Sequence, residues 1–357
     1  GIRGAFFPLC AYPVEMSIPP YPVPPLSWQI CTVPWTVQSL WWHYLYTLDD
    51  KFLADHAFEP MRDAVMFLVD YMNRPEATAA PRNDGKCHIF PTLPPELYEF
   101  RTALDRNQDC LADLTLTKFL FGGFTQACTV LGRQAEEQQL LGQIRNILQN
   151  FPDYPTAASK TNGTVWVSVP NEDPEMLYNV PVPLMSVFPG DEHGLDSPPP
   201  VRSLAEATYR QHRNDGVDSL VLLNLQAARL GLLDFERFKR EVNYCTLPNG
   251  AYTIKVFETP GRYADTAAFD QFSGGGIWCQ NFALCAVINE CLLQSYSGTL
   301  RFFPNWNLAQ TAEFRTLRTA GAFLVSARCG EGKVAWIEIA SEAGAPLRLR
   351  NPWPGAV

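Results

Sequence analysis

Apolar residues at helical spacing come in paired runs, and long proline-rich stretches separate the pairs. PWTVQSLWWHYLYTL, residues 34–48, reads as one helix with Pro34 in its first turn. Asp49-Asp50 can begin the next, KFLADHAFEPMRDAVMFLVDYMN, whose Phe52, Leu53, Phe58, Met61, Val65, Met66, Leu68 and Val69 recur at helical spacing. Pro60 inside that run predicts a kink or a split. Residues 110–131 and 134–150 form a second pair, joined near Gly132. Three more helices follow at 201–212, 215–230 and 234–245, with Gly231 as a C-terminal cap, and 281–294 reads as one long buried helix. Residues 1–30, 75–109, 151–200 and 246–277 are irregular, apart from a strand in TVWVSV. Paired helices with long loops point to a mostly α chain. An α/α toroid, a ring of antiparallel hairpins with its site among the loops at one end, is one such architecture; another helical array stays open.

From about residue 299 the pattern changes. TLRFF, AGAFLVSARC, KVAWIEIAS and PLRLR are β-branched and aromatic clusters punctuated by Gly and Pro. The expected division is a helical domain over 1–297 and a small β-sandwich-like C-terminal domain over 298–357, with little room for a finished sandwich.

Several function classes are disfavoured. A net charge of −9 and the lack of a Lys/Arg run argue against a nucleic-acid surface. No stretch has eighteen uninterrupted apolar residues, so no transmembrane helix and no membrane partner is expected. The opening GIRGAFFPLCAYPVEM has no basic region followed by an apolar core and no initiating Met, so it reads as the start of a fragment rather than as a signal peptide. The ten Cys include no CxxC pair, which leaves buried free thiols and a lean toward a reducing compartment. Aromatics at 12% with charged residues at only 18% fit a site that stacks the flat faces of sugars, or simply a large aromatic core.

FPTLPPELYEF, residues 90–100, sets Glu96 behind two prolines and ahead of Leu97, Tyr98 and Phe100. Neither a helix interior nor a central strand accepts Pro94-Pro95, so the acid rides on a stiff loop. Apolar neighbours raise a carboxyl pKa, as a general acid requires; a solvated loop residue is the plain alternative. Asp113, in CLADLTL, can be a base or a helix-start acid, and Asp218 is a weaker candidate of the same kind. Asp191, Glu192 and His193 form a turn after Pro189-Gly190 that reads as solvated, and Glu290 reads as a buried structural partner. Cys279 with His193 shows no third orienting group for a thiol nucleophile. SGGGIW lacks the Lys of a phosphate loop and reads as backbone beside a site, with Trp278 as a sugar platform. Trp28, Trp35 and Tyr98 are further platforms, whereas Trp41, Trp42 and Tyr44 read as core.

Three segments together resemble glycoside hydrolase family 95, the inverting α-L-fucosidase and α-L-galactosidase group. They are QSLWWHYLYTLDDKFL with PMRDAVMFLVDYM, FPTLPPELYEF with Asp113 downstream, and QNFALCAVINECLLQSYSGTLRFFPNW; PGDEHGL at 189–195 is similar to a further family turn. The resemblance implies a six-hairpin (α/α)6 toroid, incomplete at its N-terminus, with Glu96 as general acid and no cofactor or metal. It implies a role in sugar binding for the turn holding His193. Aligning the family's D-G-N-F onto this chain puts Cys279 at the position of its base Asp, Gln280 at the Gly and Asn281 at the Asn. A thiol is a poor substitute for a water-activating carboxylate. The family's paired Asn residues would precede residue 1, in an N-terminal portion expected to pack on this chain. The expected partner is an oligosaccharide or polysaccharide. A toroid polysaccharide lyase and a catalytically degenerate carbohydrate-binding module are the alternatives. The resemblance suggests a secreted or periplasmic protein and the thiols an intracellular one, so the compartment stays open.

Overall fold

A computed structural model describes residues 1–8, 28–78, 84–95, 97, 100, 103–178, 180–214, 219–246 and 278–353. The described residues are mostly helical, with short strands and one three-stranded sheet. They divide into two compact units, one of residues 1–41 and 49–176, the other of 42–48 and 177–357.

The first unit takes the start of α1 (Thr32–Thr47), then α2 (Asp50–Phe52), a π-helical turn (Leu53–Ala57), α3 (Phe58–Met72), α4 (Pro75–Thr78), α5 (Leu111–Val130) and α6 (Gln138–Gln149). Asp49 caps α2, its carboxylate accepting the Phe52 N–H at 2.9 Å. Of the kink or split expected at Pro60, the split does not occur. The π turn lies just before it, with the Phe58 N–H reaching back five residues to the Leu53 carbonyl. This wider turn lies where proline's missing N–H and its ring would disrupt the regular ladder. α5 is apolar on nearly every side and buried accordingly, from Leu111 to Cys128. α6 is one-sided: Leu140, Leu141, Ile144 and Ile147 face inward. Phe58 of α3 meets Phe124 of α5 at 5.3 Å between ring centroids. Gly123 of α5 leaves room for the Trp41 ring; a Cβ there would stand 3.0 Å from it. β1 (Thr156–Ser159) and β2 (Gly163–Trp166) form an antiparallel hairpin.

The second unit holds β3 (Leu177–Tyr178) and β4 (Arg213–Asn214), which pair in parallel, with α7 (Pro199–Gln211), a π turn (Ser219–Leu223), α8 (Asn224–Leu230), α9 (Phe235–Cys245) and α10 (Trp278–Leu292). α7 opens on Pro199-Pro200, in the turn where a missing N–H costs nothing. Gly231 ends α8 at φ 73°, the left-handed cap expected of it. Leu220, Val221, Leu225, Val287 and Cys291 form a buried cluster between α8 and α10. α10 is less buried than the sequence suggests, since Cys285 and Ile288 are exposed. Of the eight cysteines whose side chains are described, all free thiols, the seven other than Cys285 are buried.

β5 (Leu293–Gln294) pairs with β6 (Arg301–Phe302), and β7 (Ala312–Thr319), β8 (Phe323–Gly330) and β9 (Lys333–Ser341) form an antiparallel meander. Phe323, Val325, Ala327 and Cys329 alternate inward along β8. Glu331 (φ 54°) and Gly332 (φ 80°) join β8 to β9, the two positive φ values of a type I′ hairpin. β7 was not among the strands expected, and of PLRLR only Leu349 bridges, in parallel, to Leu300.

Candidate active site

Glu96 itself, with Tyr98, lies outside the described residues; the chain leading to and from it is held by a polar framework. His88 stands before the segment and Asp109 after it, with Nδ1 and Oδ2 2.6 Å apart. The other ring nitrogen, Nε2, is 3.0 Å from Asp84 Oδ1. Two carboxylates facing two ring nitrogens favour the imidazolium, so the His88 pKa is raised, chiefly by the Asp109 hydrogen bond. Asp109 adopts φ 49°, which lets its second oxygen accept the Ile89 N–H at 3.0 Å. Its own N–H returns to the Ile89 carbonyl.

Further along, Thr92 is bound at every polar atom. Its N–H donates to the Asn107 carbonyl at 2.9 Å, its carbonyl accepts from Asn107 Nδ2 at 3.2 Å, and its hydroxyl donates to Asp113 Oδ2 at 2.6 Å. Leu93 donates its N–H to the Trp28 carbonyl at 3.2 Å. Arg74 and the Tyr71 hydroxyl donate to the carbonyls of Phe90 and Pro91. Pro94 and Pro95 are both buried. The loop is anchored up to the residue before Glu96.

Asp113, at the first turn of α5, is wholly buried. Burial pushes its carboxyl up to about 7, against the pull of Thr92 and Cys31. With no exposed surface it cannot touch a sugar, and of its two expected roles the geometry favours the structural one. The exposed face beside the loop is aromatic. Trp28 is 46% and Phe100 41% exposed, their ring centroids 6.3 Å apart, and Phe6 lies 6.1 Å from Trp28. Trp35, on α1, is half-buried.

In the second unit, the Asp191 turn is only partly solvated: Glu192 is exposed as the sequence suggests, but Asp191 and His193 are half-buried. Arg229 of α8 is buried there between the rings of Phe188 and Tyr296, 4.8 and 4.6 Å from its guanidinium carbon. It donates to Asp191, to Glu290 Oε1 at 2.9 Å and to the Val187 carbonyl at 3.2 Å. Trp42 Nε1 donates to the other oxygen of Asp191 at 3.3 Å. Burial works against the charge on Arg229, yet the two carboxylates outweigh it and its pKa is raised. Glu290 is thus the structural partner expected. His193 is mostly buried, its Nε2 3.8 Å from Glu192 Oε1 and its backbone N–H donating to the Ser186 carbonyl at 3.0 Å. Asp218 lies outside the described residues. Trp278, Cys279, Gln280 and Asn281 form the first turn of α10, with side chains outside the described set. Among the described residues no group of three or more His, Cys, Asp or Glu is placed to hold a metal ion. No described helix is long and apolar enough to cross a membrane.

Residues 10–234 match the glycosyl hydrolase family 95 catalytic domain. The chain belongs to glycosyl hydrolase family 95. It is also similar to Alpha-L-fucosidase 2 of Arabidopsis thaliana, 24% identical over 186 residues, which are 51% of this chain and 21% of that protein. This chain therefore spans about a fifth of that relative. The family 95 match contains Glu96, Asp113, His193, Asp218 and the whole framework around His88 and Thr92, and it ends before Cys279 and Glu290. The framework residues His88, Thr92, Asn107 and Asp109 were not singled out in the sequence. The available signal was a cluster of short polar residues on both sides of a proline-rich segment.

Proposed function

We propose that this family 95 protein hydrolyses a glycosidic bond with inversion, and that Glu96 is the general acid that protonates the leaving oxygen. The observation that carries the reading is the double anchoring of the Glu96 loop, through His88–Asp109 and Thr92–Asn107, in a chain of this family. A general acid must hold its proton within hydrogen-bond reach of the leaving oxygen, so its loop has to be stiff. Trp28 and Phe100 offer apolar ring faces to a sugar beside that loop, and Trp35 and Tyr98 are proposed to extend them.

An inverting mechanism needs a second carboxylate about 6.5–9.5 Å from the first, with a water between it and the sugar. Asp113 is too buried for this role, and Asp191 and Glu290 are taken by Arg229. The base is therefore a carboxylate outside this group, with Asp218 as a weak alternative. His193, Trp278, Gln280 and Asn281 are proposed to line the sugar. An α-L-fucoside or a related sugar in an oligosaccharide or polysaccharide is the proposed substrate, on the similarity to the Arabidopsis protein. The helix pairs are proposed to belong to an (α/α)6 toroid over 1–297, followed by a β-sandwich-like domain.

The test is to incubate the protein with an aryl α-L-fucoside and follow the first-formed sugar by proton NMR. Initial release of the β-anomer supports inverting hydrolysis; the α-anomer contradicts it. Cys279, which the resemblance aligns with the family's base Asp, supports a second reading, a binding module without turnover. Saturable binding of the intact fucoside with no released sugar would select that reading.

A further inference from the structure

A cavity of about 370 Å³ in the second unit is lined by three arginines, Arg202, Arg301 and Arg350. Each has its own local cause. Arg202 projects from the start of α7, where it donates to Glu206 Oε1 at 2.9 Å and to the Leu195 carbonyl at 3.1 Å. Arg301 of β6 is buried, with its guanidinium 4.1 Å from the Tyr296 ring centre and Nε on Asp196 at 2.7 Å. Arg350 is carried in by the bridge between Leu300 and Leu349, its own N–H on the Leu300 carbonyl at 2.9 Å. It reaches Asp196 only at 3.5 Å and is more than half exposed.

The charges do not balance. Arg210 also leans on Glu206, so within this ion-pair set four guanidinium groups share two carboxylates, Asp196 and Glu206. The excess of two positive charges stands out in a chain of net charge −9. Arg202 and Arg350 keep N–H groups with no acceptor among the described residues. Guanidinium forks match planar and tetrahedral oxyanions and bind them through paired hydrogen bonds. Phe302, Pro304 and Pro352 give the same cavity an apolar wall.

We propose that this cavity is a binding site for a small molecule carrying an oxyanion, a carboxylate, sulfate or phosphate group, held by Arg202 and Arg350 over the fixed Arg301–Asp196 pair. The site works independently of bond hydrolysis, and its test reads binding alone.

The experiment is isothermal titration of the full chain with glucuronate, glucose 6-sulfate and inorganic phosphate, with glucose as the uncharged control. The same titrations are run on R350Q and on R202Q/R350Q. Both arginines are at least partly exposed, and unchanged melting of the free variants verifies their fold. The expected result is a dissociation constant of about 1 mM or below for at least one oxyanion probe. It weakens by about tenfold or more in R350Q and further in the double variant, and salt weakens it. Tighter binding of the sugar acids than of phosphate identifies a glycan as the source of the anion; the reverse identifies free phosphate. Absence of binding by every charged probe overturns the proposal, and so does equal binding by wild type and both variants.

Discussion

His88 and Asp109, 2.6 Å apart, tie together the two ends of the segment that carries Glu96. Asp109 also fixes the Ile89 N–H, so one carboxylate sets both a side chain and the backbone before the loop.

That pair predicts a separable effect on catalysis. D109N keeps the shape and removes the charge. A net loss of about 1–3 kcal/mol in stability is expected, with a fall in kcat that exceeds any change in KM. The pH dependence has a definite sign. His88 has a raised pKa in the folded state, so the pair stabilises fully below about 6.5 and the benefit fades as pH rises through the raised folded value. The gap in Tm between wild type and D109N should therefore be widest near pH 5 and narrow at alkaline pH. A gap independent of pH would contradict the ion-pair account.

Two other buried groups pull stability in opposite directions. Asp113 is raised by burial to about 7, so the folded chain resists its ionisation and loses stability as pH rises from about 4 to 7. His212 is lowered by burial to about 3, with neither ring nitrogen finding a hydrogen-bond partner among the described residues and its ring stacked on Tyr178 at 5.2 Å. It costs stability as pH falls below about 6.5, at roughly 1.4 kcal/mol per pH unit. These slopes offset one another in wild type, so each shows as a difference from its variant. In thermal melts D113N should gain on wild type as pH rises, and H212F should gain as pH falls.

Arg229 joins two carboxylates in a buried site. R229Q strands both, and the expected cost is about 3–5 kcal/mol by chemical denaturation. Adding E290Q to R229Q should restore part of this loss, because one stranded charge is removed. A double variant no more stable than R229Q would refute the coupling.

Much of the helical frame was legible in the sequence. α6 shows its buried face directly, and Asp49 and Gly231 mark helix ends by well-understood chemistry. The differences have local causes. The π turn at Leu53–Ala57, just before Pro60, rests on longer-range backbone hydrogen bonding that no periodicity reveals. Strand β7 hides its period: Glu313, Arg315 and Arg318 face outward beside Phe314 and Leu317, but a bulge between Phe314 and Leu317 sets Arg315 and Thr316 outward in succession and breaks the alternation. At the site, the prolines marked the segment leading to Glu96, and Pro94 and Pro95 are buried. Its partners were not marked, since His88 meets Asp109 only through a left-handed backbone turn on the far side of the loop. The Asp191 turn looked solvated because its partner, Arg229, lies on another element; a lone arginine in the apolar run LNLQAARLG was the clue.

The central claim is that Glu96 supplies the proton to the leaving group. It is tested most directly by comparing wild type and E96Q on an aryl α-L-fucoside with a poor leaving group and on α-L-fucosyl fluoride. Acid assistance contributes about 10²–10⁴-fold where the leaving group needs a proton. The expected result is a loss of that size on the poor leaving group and a much smaller loss on the fluoride. Equal losses on both substrates, or full activity of E96Q on the aryl fucoside, would contradict the assignment.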